Sequence, residues 1–251
     1  MGVVLVHSYS NDSISITWGE ISGENSYILV ITPVSSNDSK SIEHTGDRQF
    51  EFTGLTPGQL FNITVRGNNS FEEGIVLQRT NPNPVAFIEI TNTSLTTLTL
   101  IWSEPEVEGG LEVIFGGYVL TYKENGGSEV NLGFLERGTN FYTITNLYPT
   151  TTYTVFIRTR MGSGDTQEHS SVVTHTEITD AIANGTIFVR SFTERSIEIL
   201  WPDNPFALKY TVYVWPTSGS RGEGMSQDTG NTTSALRKLT DLVPGELYTI
   251  Q

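Results

Sequence analysis

Three stretches of this chain superimpose on one another, and such a repeat limits the fold more than any single motif, because each copy must close a hydrophobic core of its own. Residues 2–18 (GVVLVHSYSNDSISITW) align without gaps on residues 185–201 (GTIFVRSFTERSIEILW), and residues 86–102 (AFIEITNTSLTTLTLIW) carry the same pattern. Each copy reads as two short strands ending in tryptophan. Next comes an aromatic-led alternating run: Tyr27-Ile28-Leu29-Val30-Ile31, Tyr118-Val119-Leu120-Thr121-Tyr122 and Tyr210-Thr211-Val212-Tyr213-Val214. A period of two with β-branched and aromatic residues means strand. The third landmark is a Leu-x-Pro-x-x-x-aromatic corner, at Leu55 to Phe61, Leu147 to Tyr153 and Leu242 to Tyr248.

The repeats lie 84 and 99 residues apart by tryptophan and 92 and 95 by corner aromatic, the length of one β-sandwich each. This predicts modules over 1–81, 82–178 and 179–251, joined by short linkers at Asn81-Pro82-Asn83-Pro84 and Glu177-Ile178-Thr179-Asp180. Only 17% of residues are charged while 24 are glycine, the composition of strands joined by many turns. A net charge of -14 repels polyanions, which makes nucleic acid and anionic membranes poor partners. With no cysteine there is neither a disulfide framework nor a zinc-thiolate site nor a cysteine nucleophile. No stretch reaches the ~18 apolar residues of a membrane span, so this segment is not expected to insert directly. The first residues have neither a basic flank nor a cleavage site, so any export or anchoring signal is expected outside the sequence.

Tryptophan on the second strand, Tyr-x-Leu/Val on the third and Leu-x-Pro-x-x-x-Tyr before the sixth together resemble fibronectin type III repeats over essentially the whole chain. The resemblance implies an all-β fold of tandem immunoglobulin-like sandwiches, with Trp18, Trp102, Trp201, Phe61, Tyr153 and Tyr248 as core residues. Alternation says the same independently: Ile14, Ile16 and Trp18 share a face that opposes Phe61, Ile63 and Val65. Phe61 departs from the pattern, keeping the packing of a corner tyrosine and losing its hydroxyl. The third module stops at Tyr248-Thr249-Ile250-Gln251, in its sixth strand. It is therefore expected to lack its last strand and a half, to leave its third strand with an unpaired edge and to leave Trp201 short of cover.

Seven Asn-x-Ser/Thr sequons stand as candidate glycosylation sites: Asn11, Asn37, Asn62, Asn68, Asn92, Asn184 and Asn231. Alternation with inward Phe61 and Ile63 points Asn62 outward from mid-sheet, and Asn184 lies at the junction before the third module. The loop of Glu104, Glu106, Glu108 and Glu112 reads as solvated rather than as a calcium site, since it lacks the Asp/Asn-rich spacing of a calcium loop. Arg66-Gly67-Asn68 is not an Arg-Gly-Asp tripeptide, because asparagine lacks the carboxylate. The loop at Arg160-Met161-Gly162-Ser163-Gly164-Asp165 reads as an exposed turn. His7, His44, His169 and His175 are scattered and read as surface residues. Gly219, Gly222 and Gly224 lack the context of a phosphate cradle and read as a hairpin loop.

No catalytic residue, metal or cofactor is expected. The chain reads as an extracellular spacer or binding segment for a protein ligand or neighbouring receptor, within a longer cell-surface protein. Leu55 to Thr64 and Leu242 to Thr249 are similar to repeats in the ectodomains of receptor-type tyrosine phosphatases, which implies a single-pass receptor with its phosphatase beyond Gln251. The competing readings are an adhesion or matrix protein without catalysis and a tether within a secreted microbial enzyme.

Overall fold

The computed structural model describes residues 3–36, 38–70, 72–105, 115–202, 210–219, 225–228 and 235–251. They form two compact units, one made of Met1–Thr91, Leu100–Tyr142 and Tyr153–Thr176, the other of Asn92–Thr99, Thr143–Thr152 and Glu177–Gln251. Among the described residues the elements are strands, apart from one 3-10 turn.

The first repeat contributes β1 (Val4–Tyr9), β2 (Ile14–Trp18), β3 (Ser26–Pro33), β4 (Lys40–Thr45), β5 (Gln49–Phe52), β6 (Leu60–Gly67) and β7 (Glu73–Arg79). They make two antiparallel sheets, in the orders β1-β2-β5 and β4-β3-β6-β7. Alternation dictates which residues meet. Ile14, Ile16 and Trp18 of β2 are buried in one cluster with Leu29 and Ile31 of β3 and Phe61, Ile63 and Val65 of β6. In that register Leu29 stands opposite Val65 and Ile31 opposite Ile63.

The second repeat contributes β8 (Ile88–Thr93), β9 (Leu98–Trp102), β10 (Gly117–Glu124), β11 (Val130–Glu136), β12 (Phe141–Ile144), β13 (Thr152–Met161), β14 (Glu168–His169) and β15 (Val173–Ile178). Its sheets run β12-β9-β8 and β11-β10-β13-β14, with β15 also paired to β13. A 3-10 turn, Gly164–Thr166, separates β13 from β14. The third repeat contributes β16 (Phe188–Thr193), β17 (Ser196–Leu200), β18 (Thr211–Pro216), β19 (Met225–Asp228), β20 (Leu236–Leu239) and β21 (Tyr248–Ile250), in the orders β16-β17-β20 and β19-β18-β21. The architecture is therefore all-β, a tandem of immunoglobulin-like sandwiches. In each repeat the tryptophan packs edge-on against the tyrosine that leads the third strand: Trp18 on Tyr27 at 5.2 Å, Trp102 on Tyr118 at 5.4 Å and Trp201 on Tyr210 at 5.2 Å.

One expectation for the third repeat is corrected. Its third strand, β18, pairs with β19 on one side and with β21 on the other. Trp201 is only half-buried, whereas Trp18 is 5% exposed and Trp102 3%.

The residues read as linkers are also more tightly held than linkers. After β7, Thr80 is fully buried and donates from Oγ1 to the carbonyls of Thr56 at 2.7 Å and Gln59 at 3.3 Å. The Gln59 N–H donates to the same hydroxyl, Asn81 N–H donates to Ser10 O, and Gly58 N–H donates to Asn81 O. After β15 the pattern recurs. Thr179 Oγ1 donates to Tyr148 O and Thr151 O and accepts from Thr151 N–H, Asp180 N–H donates to Ser94 O, and Thr150 N–H donates to Asp180 O. A Thr-Asx pair thus latches the end of each last strand onto its own corner. The corner turns through the left-handed region, at Gly58 (φ 72°), Thr150 (φ 51°) and Gly245 (φ 79°). Glycine adopts this conformation freely and threonine at a cost of about 1 kcal/mol or more.

Candidate binding segment and module junction

The first two modules are joined within one compact unit by a small set of polar contacts. Arg79, the last residue of β7, donates from Nε to Thr166 O at 3.0 Å and from Nη1 to Gly58 O at 2.7 Å. Its planar fork therefore grips one carbonyl from each module. Beside it Glu168 Oε2 accepts from Tyr9 Oη at 3.0 Å and Glu168 Oε1 accepts from Gln78 Nε2 at 3.3 Å. Farther along, Thr159 Oγ1 donates to Asn83 O at 2.7 Å and Asn11 Nδ2 donates to Asn83 Oδ1 at 3.0 Å. Gly162 makes room for the grip, since a Cβ there would stand 2.9 Å from Arg79 Nε and its φ is +80°.

Burial raises the Tyr9 hydroxyl above its ordinary pKa, and the hydrogen bond and negative charge of Glu168 add to the effect. Burial lowers the Arg79 guanidinium, with Glu168 opposing. Neutral phenol and charged guanidinium at neutral pH are the forms this network needs. The segment 160–165, read from the sequence as a turn, includes the start of that 3-10 turn, and its neighbour Thr166 takes the Arg79 bond. A turn signal is local and carries no information about a partner 87 residues away.

Trp18, Phe61, Trp102 and Tyr153 are buried, and Trp201 and Tyr248 are partly buried against the third core. Among the sequons, Asn11, Asn68, Asn92 and Asn184 are exposed, the last in a turn. Asn62 is half-buried on β6 between Thr32 and Leu77, with its Oδ1 enclosed and unpartnered. Asn37 and Asn231 lie outside the described residues, as do Glu106, Glu108, Glu112, Gly222 and Gly224. Glu104 is exposed, and Gly219 lies in the β18–β19 hairpin, its N–H bonded to Pro216 O.

Gly67 of the Arg66-Gly67-Asn68 stretch is buried against Glu24, where a Cβ would clash, so this stretch closes the end of β6. Only His7 is fully exposed. His44 packs edge-on against Trp18 at 5.7 Å, and His169 and His175 are half-buried, which corrects their reading as plain surface residues. A histidine alternating with inward residues is drawn partly into the sheet by the strand itself. Among the described residues no three His, Cys, Asp or Glu side chains converge as metal ligands, and no helix is long and apolar enough to cross a membrane.

Residues 81–176 match the fibronectin type III domain. Receptor-type tyrosine-protein phosphatase H of Homo sapiens is 27% identical over 97% of this chain, which spans 21% of that protein. Tenascin of Gallus gallus is 29% identical over 78% of the chain and is spanned over 11% of its length. A solved two-domain fibronectin type III segment of chicken tenascin is 16% identical, covering 70% of this chain and 97% of that one, with a TM-score of 0.46.

Proposed function

We propose that the chain, of which residues 81–176 match the fibronectin type III domain, is an extracellular modular segment that spaces and presents binding surfaces for protein partners, within a larger cell-surface or matrix protein. The observation that carries this reading is the fastened junction, in which Arg79, Tyr9 and Gln78 of the first module grip Thr166 and Glu168 of the second. A spacer needs modules whose mutual orientation is held, and a carbonyl-gripping arginine with a shared carboxylate supplies that. Modules over 1–81, 82–178 and 179–251 are the units presented. Similarity to a receptor phosphatase and to tenascin supports both the receptor and the matrix setting. Any catalysis would belong to other parts of such a protein.

The sequons test the location. Secreted from a eukaryotic host, the protein is expected to lose the mass of several N-glycans on enzymatic deglycosylation, with Asn184 and the sheet residue Asn62 occupied. Efficient secretion with every sequon bare would overturn the eukaryotic surface reading.

A further inference from the structure

Ile75 and Leu77, each 54% exposed, stand on the outer face of the sheet β4-β3-β6-β7. Val76 between them packs on the core, so alternation turns its two neighbours outward. The same alternation on β3 and β6 turns Val30, Thr32, Asn62 and Thr64 to that face. The register lays these residues in cross-strand rows, Val30-Thr64-Ile75 and Thr32-Asn62-Leu77. Since β7 is the end strand of its sheet, open isoleucine and leucine there make it a template for pairing with another chain.

The second module covers the matching face with cations. Counted from the corner aromatics Phe61 and Tyr153, Thr154 takes the place of Asn62 and Phe156 that of Thr64. Lys123 stands opposite Thr154 and carries its Nζ over the Phe156 ring, 5.4 Å from the centre. Arg160 lies over Phe134 at 3.9 Å, and Gly117 leaves room for that ring, which a Cβ would meet at 2.5 Å. Long stems ending in charge thus keep the rings from presenting a bare apolar surface. In the first module Thr32 stands opposite Asn62, where the second has Lys123, and its hydroxyl meets that of Ser39. Arg66 is opposite Glu73, at the end of β7 away from Leu77.

What the first module has in the middle of this face is a sequon, with Asn62 and Thr64 both on the outward side. Oδ1 of Asn62 is enclosed without a partner, and a glycan is carried on the other amide atom, Nδ2. We propose that an N-glycan on Asn62 lies over Leu77 and Ile75 and does with sugar what Lys123 and Arg160 do with charge in the second module. A pyranose ring has a C–H face and a hydroxylated rim, so it takes aliphatic surface from water on one side and stays wetted on the other. Its bulk also keeps a further strand from approaching β7. The inference rests on the extracellular reading above, because N-glycans are added to exported chains.

The test uses the whole chain secreted from a eukaryotic host. Nuclear Overhauser contacts between sugar protons and the methyl groups of Ile75 and Leu77 are expected in the glycosylated protein, and their absence would overturn the inference without recourse to any variant. Self-association is then read by sedimentation in the parent, in Asn62→Gln and Thr64→Ala, which both lose the sequon, and in Asn184→Gln. The first two variants are expected to self-associate about tenfold more strongly than the parent, and Asn184→Gln to match it. Adding Ile75→Thr and Leu77→Thr to Asn62→Gln is expected to return it to the parent value. Equal association with and without the Asn62 sequon, or a difference that survives the two threonines, would overturn the cover. A glycan on Asn184 with Asn62 bare would overturn this inference and leave the extracellular reading standing, whereas every sequon bare would overturn both.

Discussion

Tyr248 accepts a hydrogen bond at Oη from the Val243 N–H at 2.8 Å, tying the strand to its own corner. Phe61 occupies the same place in the first module, 4% exposed, and has no hydroxyl to offer the corresponding Thr56 N–H. Phe61→Tyr is therefore expected to stabilise the first module by about 1 kcal/mol, read as a rise in its thermal midpoint. An unchanged or lower midpoint would count against the corner bond. His169 supplies a test against pH. Its Nδ1 is buried without a partner, and its pKa is lowered first by burial and then by Arg158 and Arg160, with Glu168 opposing. The fold thus favours the neutral ring. Its contribution to stability is complete above the ordinary imidazole value of about 6.5 and is lost as pH falls from there towards the lower folded value. Unfolding midpoints measured between pH 7 and 5 are expected to fall, and His169→Gln to flatten the decline. An NMR titration placing His169 above the ordinary value would reverse the sign.

At the scale of the element, the latch after each last strand is the feature local reading missed. Alternation identified β2, β3 and β6 and assigned Ile14, Ile63 and Phe61 to the core, because the side of a strand a residue faces follows from its position alone. Thr80-Asn81 and Thr179-Asp180 offered only two polar residues after a strand, and such pairs read equally well as linker. The partners of the two threonine hydroxyls lie 21 to 31 residues away, at a corner that the fold brings alongside. Thr80→Val keeps the shape and removes a hydroxyl that bonds three backbone groups. It is expected to cost about 1–3 kcal/mol in chemical denaturation, with Thr80→Ser restoring most of the loss. A neutral valine, or a serine no better than valine, would show that packing alone holds the strand end.

For the molecule as a whole, the junction inside the first compact unit is what a spacing role requires. Arg79→Ala deletes both carbonyl contacts, and Arg79→Lys keeps the charge while losing the planar fork. Both variants are expected to fold as modules yet to sample a broader range of module separations in small-angle scattering, the alanine more so. Scattering profiles identical to that of the parent would show that Thr159, Asn83 and the tightly packed Asn81 to Pro84 segment suffice. By itself the sequence determined the repeat, the sandwich class and the net negative charge, since periodicity, spacing and charge are properties of the chain as written. Only the tertiary structure decided that Glu168 meets Tyr9 across 159 residues, that Thr80 and Thr179 close their modules, and that β18 is paired on both sides. Hydrogen bonds of that kind depend on which backbone groups packing brings within about 3 Å, and no local pattern of residues encodes that distance.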